Sequence, residues 1–186
     1  MKDIKKFKIQ LEKPWAWEGL VPPQDVLGEL PDFERGLRRL CFECNHRVLI
    51  EIGDEKFDVF LDPDIILILD NLPQQILELS RGKRIQIEFP ESYREITFMP
   101  DDDEIRCTSS QFGQVVRHEH FLLERTQVLE VLGGFLDEIV CLALDGGYIN
   151  PEQGHQFLAK IQINGPLCEF TRKGLPKHVN HSKHCL

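Results

Sequence analysis

Residues 38–61 read RRLCFECNHRVLIEIGDEKFDVFL, and the fold class turns on how this stretch is parsed. Three segments in which apolar and polar residues alternate, 38–44, 47–52 and 56–61, are separated by Asn45-His46 and by Gly53-Asp54-Glu55. Alternation with period two marks strands that bury one face, and turn-forming residues between such runs favour antiparallel hairpins. The stretch is therefore expected to be a three-stranded meander.

Upstream, Phe7, Ile9 and Leu11 recur every second residue and predict an opening strand. Pro14, Gly19, Pro22 and Pro23 then exclude regular structure around Trp15 and Trp17. Downstream, Asp62-Pro63-Asp64 ends the meander, and the apolar run through Leu69 is too short for periodicity to separate helix from buried strand. Asn71 and Gly82 bracket a helix over 72–81. Ile85, Ile87 and Phe89 alternate again, and 95–99 and 104–108 flank the acidic turn 100–103 as a second hairpin.

Val128, Leu129, Leu132, Leu136, Ile139, Val140 and Ala143 recur at helical spacing, which predicts a main core helix over 126–144 with Thr126 as N-cap and Gly146 as stop. Gly133-Gly134 inside it costs roughly 1 kcal/mol per glycine relative to alanine, so a bend or a closely packed neighbour is expected there. Asn150-Pro151 starts a further helix, 151–161. Hairpins interleaved with helices, without regular strand-helix-strand alternation, imply an α+β fold. The expected architecture is an antiparallel sheet from hairpins around 38–61 and 85–108, packed by helices around 72–81, 126–144 and 151–161. Residues 1–165 are expected to form one domain, and 166–186 a C-terminal extension.

Composition bounds the function. A chain of 186 residues that is 41% hydrophobic and 28% charged can bury one substantial core and is not of the disordered class. Its formal net charge of −9 argues against a nucleic-acid partner, because the small basic groups at Lys5, Lys6 and Lys8, at Arg35, Arg38 and Arg39, and at Arg81, Lys83 and Arg84 form no dominant patch. No apolar run approaches the ~20 residues needed to cross a bilayer, and residues 1–12 lack a signal-peptide pattern, so a cytoplasmic location is expected. The six cysteines are expected to be reduced thiols, with Cys141 acting as a small core hydrophobe.

Four groups carry candidate chemistry. Cys41 and Cys44 have the spacing by which two thiolates share a zinc ion, although the meander puts them on opposite strand faces. His178, His181, His184 and Cys185 would converge in a helical C-terminus and, with Cys41 and Cys44, complete a zinc site; otherwise they form a frayed end. His118 and His120 share one face if their segment is a strand, as neighbouring metal ligands or an unfamiliar active site with Glu119 would require, with Ser109, Ser110 or Cys107 as nucleophiles. Trp15 and Trp17 read as interface anchors or as a lid over the core.

The chain contains no GxSxG elbow, P-loop, GxGxxG, HExxH or EF-hand loop. At the level of architecture alone, hairpins followed by a helix-rich half resemble small bacterial immunity and inhibitor proteins. The leading expectation is a bacterial-type, non-catalytic interaction or inhibitory module, without a cofactor, that engages a basic protein partner through its acidic surface and the Trp15-Trp17 segment. A zinc-binding protein and an enzyme centred on His118, Glu119 and His120 are the alternatives.

Overall fold

The computed structural model describes residues 3–14, 28, 30–44, 46–113 and 115–159. Among these, strands β1 (Phe7–Pro14), β2 (His46–Ile52) and β3 (Glu55–Phe60) form one antiparallel sheet in the order β1-β2-β3. Strands β4 (Ile85–Phe89), β5 (Arg94–Asp101), β6 (Glu104–Gln111) and β7 (Arg117–Glu124) form a second, in sequence order and antiparallel throughout. Helices α1 (Asp32–Cys44), α2 (Ile66–Leu69), α3 (Leu72–Ser80), α4 (Arg125–Asp145) and α5 (Pro151–Leu158) accompany them, which establishes the α+β class. Trp15, Trp17 and all residues from 160 on, including Cys168 and the His178–Cys185 group, lie outside the described residues.

The first expected strand of the meander is corrected: 38–44 is the C-terminal half of α1, and the hairpin proper is β2-β3. The burial pattern gives the reason. Leu37, Leu40, Cys41 and Cys44 are buried, a helical i, i+3, i+4, i+7 stripe that outcompetes the period-two reading of the same residues. On the exposed side, Arg38 pairs with Glu34 at 2.9 Å and Arg39 with Glu43 at 3.0 Å, both one helical turn apart. The strand that completes the sheet is β1, whose Phe7, Ile9 and Leu11 pair with Ile52, Ile50 and Val48.

The ambiguous run after Asp62 is helical: a π-helical turn at Leu61–Ile65 leads into α2. Asp64, fully buried, fixes this turn. Its carboxylate accepts the Phe60 N–H at 3.3 Å and, across to the β4–β5 connection, the Ser92 N–H at 3.1 Å and hydroxyl at 2.5 Å.

The predicted second hairpin is β5-β6, closed by Asp102 at φ 56° and Asp103, and it extends into β7, a strand the sequence pattern leaves undecided. Arg125 anchors the acidic turn, donating to the Asp102 carbonyl at 3.1 Å. Helix α4 matches its prediction except at the cap: Glu124 holds the N-cap position and Thr126 lies inside the first turn. Cys141 on α4 is half-buried rather than part of the core. Helix α5 has the expected cap, with Asn150 and Gln153 in a reciprocal capping box.

The two sheets meet through Phe7 and Phe98, whose rings stand edge to face at 5.4 Å. Lys5, preceding β1, donates its N–H to the Leu122 carbonyl of β7 at 2.7 Å and bridges the sheets at their edges. Next to that bridge, the Gln127 side chain of α4 accepts the Phe7 N–H at 3.2 Å and donates to the Phe7 carbonyl, so a side-chain amide occupies the outer edge of β1. Helix α4 packs on β1, β7, α1, α3 and α5, and the buried apolar residues of all these elements form one continuous core.

Candidate functional site

The register of the four-stranded sheet sorts its residues onto two faces. Ile87, Ile96, Phe98, Cys107 and Leu123 point to the core, while Glu88, Glu95, Ser110 and His118 line up across the opposite face, with Gln86, Thr97, Thr108 and His120 as the adjoining row. A polar ladder results. Gln86 Nε2 donates to Glu88 at 2.8 Å and to Glu95 at 3.0 Å, and the Thr97 hydroxyl donates to Glu95 at 3.4 Å. At the other end of the rows, Ser110 Oγ lies 2.9 Å from His118 Nδ1 and Thr108 Oγ1 lies 3.1 Å from His120 Nδ1.

Among the described residues, strand β7 is the edge of this sheet, and no described strand pairs with part of that edge. The Leu122 carbonyl faces away from β6, because it accepts from Lys5. Since the backbone groups of a strand residue point to one side and that side alternates, His118 and His120 also turn their N–H and C=O outward. Their pairs with Ser110 and Thr108 are thus the close, non-hydrogen-bonded kind, which is why the side chains touch. Among the described residues, Lys5 alone pairs with this edge.

At the end of the sheet where β7 begins, the chain exposes apolar side chains. Phe112, Val115 and Val116 in the β6–β7 connection are 41%, 72% and 49% exposed, and Tyr93, whose carbonyl accepts the Phe112 N–H at 2.9 Å, is 67% exposed. Burial would be favoured by about 25 cal/mol per Å² of apolar surface, so four such side chains left in water at one corner stand out against singly scattered ones. The sequence signal for this cluster is the crowding of the hydrophobes Phe112, Val115 and Val116 into a glycine-containing connection, whereas spacing along one strand carries no signal for Thr108.

The candidate catalytic group is divided by the same register. His118 and His120 share the solvent face as their spacing required, but Glu119 pairs with Ser109 on the core-facing side, together with Cys107. Ser110, beside His118, is itself buried. Burial, followed by the nearby Glu55 charge, pushes the Cys107 thiol far up, so it stays protonated. Glu55 is held by Arg94 at 2.5 Å, and the guanidinium carbon of Arg94 lies 4.3 Å from the Phe57 ring centroid, a sheet-to-sheet clasp.

Cys41 and Cys44 lie on one face of α1, not on opposite faces as a strand would place them, and both are buried. They sit at the C-terminal end of the helix, where the dipole opposes thiolates, and burial, then Asp62 and Cys44, pushes the Cys41 thiol far up. Among the described residues, no three His, Cys, Asp or Glu converge as a metal-binding group. His178, His181, His184, Cys185, Trp15 and Trp17 fall outside the described residues. Also among the described residues, no helix is long and apolar enough to cross a membrane.

Searches against protein-family models, curated proteins and solved structures found no match.

Proposed function

We propose that this protein is a non-catalytic interaction module of the inhibitory kind, which docks a protein partner at the open end of the four-stranded sheet. The observation that carries the reading is the coincidence at one corner of exposed Tyr93, Phe112, Val115 and Val116 with the start of β7, whose outer edge has no partner strand among the described residues. A partner strand laid on that edge would gain backbone hydrogen bonds from His118 and His120, and its side chains would cover the apolar cluster. The formal charge of −9 favours a partner of basic surface, which complementary fields would steer to the site. Trp15 and Trp17 remain candidates for a second contact.

Affinity capture from the source cell, comparing the natural chain with Val115→Asp and Val116→Asp, tests the proposal. Both residues are so exposed that a charge there should alter stability by no more than about 0.5 kcal/mol. A stoichiometric partner held by the natural chain and lost by both variants, and held less tightly at high salt, is the expected result. Equal capture by the variants would remove this corner from the interface.

A further inference from the structure

We infer that His118 and His120 form a two-point site for a divalent transition-metal ion on the solvent face of β7. Residues two apart on a strand project from the same face about 6.6 to 6.8 Å apart at the backbone, and both imidazoles are exposed. The decisive feature lies behind them. Each Nδ1 is already engaged by a hydroxyl of β6, Ser110 for His118 and Thr108 for His120. When Nδ1–H donates to the hydroxyl oxygen, the Nε2 lone pair is left free, which is the tautomer and the supporting contact that metal-binding histidines require.

Ser110 is buried and Thr108 partly so, which makes them fixed supports rather than mobile surface groups. The carboxylates of Glu95 and Glu88 share this face but stand two and three strands away along the His118 row, so the two imidazoles alone supply the ligands. Two imidazoles and no thiolate suit zinc, nickel or copper rather than magnesium or calcium. With two protein ligands, the remaining coordination positions stay open to water. Glu119, on the opposite face, takes no part.

The probe is Zn2+, titrated into the full chain carrying His178→Gln, His181→Gln, His184→Gln and Cys185→Ser, so that the C-terminal group cannot compete. Histidine side-chain nitrogen NMR should show the Nε2 resonances of His118 and His120 shifting together while their Nδ1 atoms stay protonated. His118→Gln or His120→Gln should each lower the Zn2+ affinity at least tenfold, and Thr108→Val or Ser110→Ala by about 10- to 100-fold, the range for lost supporting contacts. A Zn2+ titration that leaves both Nε2 resonances unmoved, or an affinity unchanged by both His variants, overturns the site. Folding of each variant is checked by its amide spectrum. The corner variants Val115→Asp and Val116→Asp should bind Zn2+ normally, which separates this inference from the docking surface.

Discussion

Two glycines in helices make opposite predictions from the same substitution. Gly134 lies in the interior of α4, exposed, and a methyl group built on it meets nothing within 4 Å. Gly36 lies in α1, buried, and a methyl there would stand 2.1 Å from the Tyr148 carbonyl oxygen and 3.0 Å from the Ile149 side chain. Both replacements gain the helix propensity of alanine over glycine, about 0.8 to 1.0 kcal/mol. At Gly134 nothing opposes the gain, so Gly134→Ala should stabilise by about 1 kcal/mol. At Gly36 the obstacle is backbone, which cannot rotate away, and forcing α1 from the segment between α4 and α5 costs about 1 to 3 kcal/mol for overpacking. The gain offsets part of that cost, so Gly36→Ala should lose up to about 2 kcal/mol net, and in no case gain the ~1 kcal/mol expected at Gly134. Urea unfolding of the three proteins reads both values, and in a chain of this size about 1 kcal/mol moves Tm by roughly 2 to 4 °C. If Gly36→Ala stabilises as much as Gly134→Ala, the close passage of Tyr148 over α1 is wrong, and the packing of α1 against the core must be redrawn.

Three further outcomes follow from polar groups and thiols packed against the core. Asp64→Ala removes the buried carboxylate that accepts the Ser92 N–H and hydroxyl and the Phe60 N–H, and should cost roughly 3 kcal/mol in urea unfolding. Gln127→Ala removes both bonds to the Phe7 backbone and should cost about 1 to 3 kcal/mol, with faster amide exchange at Phe7 as its local signature. Stability should fall as pH rises above about 8.5, because the unfolded chain releases the protons of Cys41 and Cys107 near the ordinary thiol value while burial keeps both protonated in the fold. The folded state then binds more protons, so the slope is negative, up to about 1.4 kcal/mol per pH unit for each thiol. Unfolding curves at pH 8, 9 and 10 should converge when both cysteines are replaced by valine.

Much of the sheet was legible because its strands obey a period of two and end in turn chemistry. Phe7, Ile9 and Leu11, the pairs either side of Gly53-Asp54, and the hairpin around Asp102-Asp103 all formed where the pattern put them. Helix α1 misled because its sequence offers both periods: Leu40, Phe42 and Cys44 recur every second residue, yet Leu37, Leu40, Cys41 and Cys44 also fall on one helical stripe, and Cys41 fits only the second. The tie is broken upstream, where Asp32 and Glu34 occupy a favourable first turn and Glu34 can reach Arg38.

The candidate site was legible in its side chains and illegible in its partners, for a reason that lies in sheets generally. Spacing along one strand says that His118 and His120 share a face and that Glu119 does not, but which hydroxyls stand opposite depends on register with a strand eight to twelve residues away. One residue of slip would exchange Ser110 and Thr108 for Ser109 and Cys107, leaving the imidazoles in water beside a row aimed at the core. The register is held by the core-facing set: Ile105 against Leu123 and Cys107 against Phe121 bury only in this alignment. The hydrophobic core of the sheet therefore sets the polar arrangement on its outer face, and the hydroxyl supports behind the two histidines are a consequence of apolar packing on the other side of β6.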